Sequence, residues 1–130
     1  MRRLLMCCVL GFAAAVSAAT IDGSVTAQAS LAAAQTATGA SANEIDFGLN
    51  SNRRAAIFQM RNTAGTATVQ IEVNCLPGTT DWALLPGSSQ SLTVSTAALT
   101  VTYPGCRYRA NVTACTTCSV TVSVTGLRPI

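Results

Sequence analysis

The amino-acid sequence lacks histidine and lysine altogether, and charged residues make up only 10% of its 130 positions. Nucleophilic hydrolases usually place a base beside the nucleophile, and histidine is the side chain most often used. The five acidic residues show no spacing that predicts the paired carboxylates of a glycosidase. A glycine-rich phosphate-binding motif is also missing from the sequence. We therefore predict a protein that is not an enzyme and that carries no cofactor.

The basic residues do not form a nucleic-acid-binding pattern. The formal net charge is +3, from eight arginines and five acids. Arg2 and Arg3 lie in a predicted leader, so six arginines and five acids, a net +1, remain. Aromatic residues are only 5% of the chain and are not interleaved with basic ones. We expect no nucleic-acid partner.

The first 19 residues have the pattern of a secretory signal peptide. Arg2 and Arg3 supply the charged start, an apolar run covers residues 4–16, and small residues end at Ala19. The apolar run is shorter than the ~20 residues of a membrane-spanning helix. An uncleaved N-terminal anchor is the alternative. Export through the periplasm, to the medium or the cell surface, would expose the protein to oxidising conditions.

From residue 44 onward, apolar and polar residues alternate with the period of half-buried strands. Turn-forming residues separate these stretches about every 8–12 positions, a spacing typical of a β-sandwich. The predicted strands cover residues 44–48, 55–61, 67–75, 81–94 (interrupted by a Pro-Gly turn), 99–103, 106–114 and 118–125, and residues 62–66 are predicted as a turn.

Four cysteines follow the leader, and the strand pattern predicts how they pair. If the last two strands form a hairpin with a three-residue loop, Cys106 lies more than about 20 Å from Cys115 and Cys118. A disulfide requires Cα atoms within about 7 Å of each other. The prediction is therefore Cys75–Cys106 and Cys115–Cys118. A zinc site at the CTTC motif would need a second CxxC pair or histidines, so we expect no metal.

Three stretches between residues 44 and 95 read "IDFG", "FQMRNTAGTATVQIEV" and "WALLPGSSQSLTV". They resemble the immunoglobulin-like domains of the ASPM–SPD-2–hydin type, which are mostly structural and binding modules without catalysis. The resemblance implies an all-β, immunoglobulin-like antiparallel β-sandwich over residues 44–130. A fainter similarity, through "FG" and "VQIEVNC", is to spore-coat-U-like secreted pilins, although "LLPGSSQSLTV" and "CTTC" depart from that pattern. Neither resemblance assigns a site residue.

The segment 20–43 is predicted to be an N-terminal extension of the domain. Its first part, residues 20–34, alternates like a strand, and the small polar tract 36–43 reads as a tether. An alanine-rich helix and a flexible linker are the alternatives. Such a strand can complete the sheet of a neighbouring subunit. The candidate donor-strand residues are Ile21, Val25, Ala27, Ala29 and Leu31.

Two functions fit these features. The first is a structural subunit that polymerises with other copies of itself, by β-strand addition, into an extracellular filament, pilus or surface layer. Its predicted strands carry mostly Thr, Ser and Gln on the outer face, and no lysine protects their edges. The alternative is a monomeric secreted immunoglobulin-like module that binds a surface ligand or mediates adhesion.

Overall fold

A computed structural model describes residues 19–24, 26–48, 53–76 and 78–128. Within these residues the chain is all-β, without a helix, and its strands form one mixed sheet that curves almost into a barrel. The predicted all-β class is confirmed. The strands are β1 (Ala19–Asp22), β2 (Gln28–Gln35), β3 (Gly39–Asp46), β4 (Ala55–Asn74), β5 (Ala83–Leu84), β6 (Gln90–Thr102), β7 (Arg107–Thr116) and β8 (Val120–Leu127).

The 20-residue strand β4 organises the sheet, because its two halves pair with different neighbours. Residues 55–62 lie between β6 and β8, and β8 in turn pairs with β2; these strands form the first half-sheet. Residues 66–74 lie between β7 and the start of β6, with β5 alongside. There β7 pairs with β3, and β3 pairs with β1, which completes the second half-sheet.

The predicted turn at residues 62–66 is a bend inside β4 and not a reversal of the chain. The pairing of β4 with β6 shifts register between Asn62 and Thr66, and Gly65 has a φ of +54° there. A Cβ atom at Gly65 would overlap the backbone carbonyl of Thr116, so only glycine permits this approach. The bend lets one strand serve both half-sheets.

The half-sheets enclose a single apolar core. It forms because alternate residues of β4, β7 and β8 point to the same side, which is the geometric consequence of the period-two pattern. The largest fully buried apolar side chains are Phe47, Phe58, Leu31, Ile45, Met60, Ile71, Val69, Val112, Val120, Val122 and Val124.

The predicted hairpin of the last two strands is wrong. β4 lies between β7 and β8, so the chain between Thr116 and Val120 crosses from the second half-sheet to the first. Buried Asn62 supports this crossing: its side-chain oxygen accepts the Ser119 N–H at 3.1 Å. Its amide nitrogen donates to the Leu92 carbonyl at 3.1 Å. Alternation identifies strands that share a core, but it does not reveal which of them are neighbours.

Residues 19–46 supply three strands of the chain's own sheet, where we predicted an extension and a tether. The single strand predicted over 20–34 is divided by a turn at Gly23, whose N–H donates to the Asp46 carbonyl at 2.7 Å. Gly23 packs so closely that a Cβ atom would lie 2.7 Å from the Phe47 ring. β1 runs parallel to β3, in contrast to the purely antiparallel arrangement that we expected.

Candidate functional site

Two disulfides are present, with the predicted pairing. Cys75 at the end of β4 is bonded to Cys106 before β7, with Cα atoms 4.6 Å apart. Cys115 and Cys118 are bonded across the crossing between the half-sheets, with Cα atoms 5.3 Å apart. Although the predicted hairpin is wrong, the predicted disulfide pairing is confirmed, because the length of β7 is enough to keep Cys106 far from Cys115 and Cys118. Two disulfides are consistent with an oxidising compartment.

Most of the predicted donor-strand residues lie against the core of their own chain. Leu31 is fully buried, and Ile21 and Ala29 pack partly buried against the same core. Ala27 is exposed, and its carbonyl accepts the Gly126 N–H at 2.7 Å. Val25 lies outside the described residues. The structure therefore brings three of the five residues to the shared core: Ala29 and Leu31 from β2 at the edge of the first half-sheet, and Ile21 from β1 at the edge of the second.

The pairing of β2 with β8 is irregular. Within eight residues it shifts register twice, between Ser30 and Ala32 and again before Gln35. Ala34 adopts a φ of +48°, a left-handed conformation that costs a non-glycine residue about 1–2 kcal/mol. Residues 36–38 then lead directly into β3. β2 is thus a peripheral strand that inserts one large side chain, contains the left-handed Ala34 near its end and is followed by a short connection.

The other edge of the first half-sheet is β6, which pairs with no strand of the described chain except β4. Its 13 residues include no charge and no proline. The side chains of Ala97, Leu99 and Val101 point toward the core but remain partly exposed. Two exposed apolar side chains flank this stretch, Val94 at 64% and Tyr103 at 77% exposure. Charged residues or proline normally protect such an edge, and β6 has neither.

The outer face of the second half-sheet carries two ion pairs. Arg107 lies 3.2 Å from Glu44, and Arg109 lies 2.7 Å from Glu72. The Trp82 ring packs over both guanidinium groups, 4.5 Å from that of Arg109 and 5.4 Å from that of Arg107. In the sequence, the spacing of Arg107 and Arg109 indicates that both side chains lie on one face of a strand. The sequence does not indicate which residues they contact.

Competing effects determine the pKa of Glu72. Burial acts to raise it, but hydrogen bonds from Arg109, Asn111 and Gln70 and the positive charge of Arg109 lower it below its ordinary value of 4.5. Glu72 is therefore ionised at neutral pH, with its carboxylate fully engaged by neighbours. The cluster holds three strands and Trp82 in a fixed arrangement on this face.

A cleft of about 220 Å³ opens beside the Cys75–Cys106 disulfide. The polar side chains that line it are bonded within the chain: Asp46 accepts the Gly48 N–H at 2.8 Å, and Asn74 donates to the Thr79 carbonyl at 2.8 Å. The described residues hold no group of side chains suited to a metal ion. They also include no helix that could cross a membrane.

Comparisons with known proteins found no matching family model, no similar curated protein and no similar solved structure. Function must therefore be inferred from the residues themselves, and the two sheet edges and the Trp82 face are the features to consider.

Proposed function

We propose that this protein is an exported, non-catalytic structural subunit that self-assembles into an extracellular filament, pilus or surface layer by β-strand addition. In this proposal the two half-sheets correspond to an immunoglobulin-like sandwich that is completed at one edge by β2. The observation that carries the proposal is β2 itself: a peripheral, irregularly paired strand that inserts Leu31 into the core and contains a left-handed residue, Ala34, near its end.

Assembly would occur by exchange of residues 19–35 between subunits. In the exchanged state Leu31 enters the core of the next molecule and β2 pairs with that molecule's β8, so the same contacts form between chains. Burial of a leucine side chain contributes about 1.5–3 kcal/mol in either location.

The short connection also constrains the geometry of assembly. Three residues span about 10 Å when extended, so the accepting subunit must lie directly beside the donor. Each subunit donates one segment, which carries β1 and β2, and accepts one, and this is a head-to-tail interface. Such an interface produces an open chain of subunits unless its rotation closes a ring.

Engineered cysteines in β2 and β8 test this exchange. Ser30 and Ser123 face each other in the β2–β8 pair, and serine to cysteine is a small change. The double variant S30C/S123C should form a disulfide within one chain if β2 remains paired with β8 of its own chain, and between chains if β2 is exchanged. The matched control is Q59C/S123C, because Gln59 faces Ser123 from β4, which does not exchange.

Non-reducing denaturing electrophoresis of the concentrated protein gives the result. We expect a ladder of covalent multimers from S30C/S123C and a monomer band from Q59C/S123C. If S30C/S123C gives only a monomer over a wide concentration range, exchange of β2 is refuted. Electron microscopy of the unmodified protein then shows whether the assemblies are filaments or layers.

The second candidate function, a monomeric binding or adhesion module, is favoured by the position of Trp82. Its ring is fixed by Arg107 and Arg109 on the outer face of the second half-sheet. Aromatic side chains beside fixed polar groups are common in ligand-binding surfaces. Because Trp82 is the only tryptophan, its fluorescence reports directly on this face. A saturable change on titration with soluble cell-wall oligosaccharides, together with a heat of binding in titration calorimetry that is lost in W82A, would support this alternative.

A further inference from the structure

We infer that Arg53 is the acceptor-site residue that holds the exchanging segment 19–35, and that its hydrogen bonds limit how fast this segment leaves and rejoins a sheet. For its role in assembly, this inference rests on the proposed exchange of that segment. In the monomer Arg53 binds the segment of its own chain, and in the assembly it binds the same segment of the neighbouring copy.

Arg53 lies two residues before β4, in the part of the chain that does not exchange, and it is only 6% exposed. Its side chain reaches the turn between β1 and β2. There Nε donates to the Gly23 carbonyl at 3.1 Å, and Nη2 donates to the Ser24 carbonyl at 3.4 Å. Hydrogen bonds from a charged donor are stronger than those between neutral groups. Arg53 therefore binds the middle of the exchanging segment through its backbone.

Gly126 of β8 leaves room for this arginine. A Cβ atom there would lie only 3.3 Å from both Cδ and Nε of Arg53. The Gly126 N–H donates to the Ala27 carbonyl, so the arginine stem crosses β8 where the exchanging segment joins it. Arg53 and Gly126 together form a site shaped for the backbone of residues 23–27.

The acceptor site also selects glycine at position 23. The N–H of Gly23 donates to the Asp46 carbonyl, and the Phe47 ring leaves no space for a Cβ atom. Asp46, Phe47 and Arg53 all belong to the part of the chain that stays in place. A segment from a second copy meets these requirements because it has the same sequence as the segment that it replaces.

The contacts of Arg53 are the same in the monomer and in the exchanged assembly. Their removal should therefore change the equilibrium between these two states very little. The open intermediate, in which residues 19–35 have left one sheet and have not entered another, lacks these contacts. Interactions that are absent from such a state slow the passage through it, so their removal should accelerate exchange.

Three variants separate the hydrogen bonds of Arg53 from its charge and its packing. R53M keeps a long unbranched side chain over Gly126 but removes every donor. R53K keeps the positive charge but replaces the planar fork by a single ammonium group. The matched control is R54M, which removes the same charge from the adjacent exposed position.

Hydrogen exchange of dilute protein, followed by mass spectrometry, measures opening of the segment without assembly. In R53M we expect amides of residues 19–35 to lose at least about tenfold of their protection, while amides of β4 and β8 keep theirs. R53K should lie between R53M and the parent, and R54M should match the parent. Unchanged protection in R53M, an equal loss in R54M, or an equal loss in β4 would overturn the inference.

The role in assembly is tested by placing R53M in the S30C/S123C background. Concentrated reduced protein is incubated for increasing times and then oxidised rapidly. The ladder should appear at least about tenfold faster with R53M and should reach the same final extent. An unchanged rate would overturn the inference. Faster opening without a ladder in any variant would refute exchange itself and would still assign control of the segment to Arg53, so the two failures are distinguishable.

Discussion

Removal of the two disulfides one at a time should have unequal effects on the free energy of unfolding. Cys75–Cys106 closes a loop of 31 residues and Cys115–Cys118 a loop of 3. The chain-entropy relation gives a stabilisation of about 3.7 kcal/mol for the first and about 1.6 kcal/mol for the second. The variants to compare are C75A/C106A and C115A/C118A, which leave the other disulfide in place.

Packing reduces the difference but does not reverse it. Cys118 is 3% exposed and belongs to the core, so its replacement by alanine adds roughly 1 kcal/mol to the cost of the short loop. Cys75 is exposed, and Cys106 packs only partly buried against the core. We therefore expect C75A/C106A to be the less stable variant by about 1 kcal/mol.

Equilibrium urea unfolding, followed by the fluorescence of Trp82, measures both values. Each curve needs its own m value, since loss of a crosslink expands the unfolded chain and changes the slope. If C115A/C118A is as unstable as C75A/C106A or more so, closure of the long loop is not the dominant contribution. The crossing between β7 and β8 would then depend on its disulfide for more than loop entropy.

Three further predictions follow from single side chains, each measured by urea unfolding of the disulfide-intact chain. L31A should cost about 2–5 kcal/mol, because Leu31 is fully buried. The control A33S, at a neighbouring exposed position, should change the free energy of unfolding by less than about 0.5 kcal/mol. Equal effects would mean that β2 is not packed as described. G65A should cost well over about 2 kcal/mol, since its Cβ would meet the Thr116 carbonyl. The control G87A, with a φ of +76° and no atom within 4 Å of the added Cβ, should cost only about 1–2 kcal/mol. A similar cost for both variants would contradict the close approach at the bend. The lowered pKa of Glu72 adds stability that is present above its unfolded value of 4.5 and is lost as the pH falls through the lower folded value. Below about pH 4.5, E72Q should therefore lose less stability than the parent chain. Parallel pH profiles of the two proteins would refute this.

The strands with one buried face were predictable from the sequence. Stretches 106–114 and 118–125 alternate throughout and correspond to β7 and β8, because each places every second side chain in the core. The same reasoning located 55–61 and 67–75, which are the two halves of β4. Their continuity was not predictable, since Gly65 is compatible with a reversal as well as with a bend.

Pairing between distant strands was not predictable for a related reason. Alternation does not distinguish a β7–β8 hairpin from two strands that flank β4, because both arrangements bury the same side chains. In β2 the register shifts bury Ala32 together with Leu31 and leave Ala33 exposed, so the simple alternation from Ile21 to Ala33 misassigned its final residues. The Trp82 cluster was missed because its partners come from three different parts of the chain.

The β2 edge of the first half-sheet determines how far assembly can extend. Exchange of β2 is head-to-tail and extends a chain of subunits in one dimension. A filament needs only this interface, whereas a surface layer needs a second contact that joins one chain of subunits to the next. Oxidation of S30C/S123C at low concentration should lock β2 in its own chain and abolish filaments and layers alike, and reduction of that disulfide should restore them. Assemblies that persist in the locked protein would assign the association to another surface, and the face around Trp82 would be the next to test.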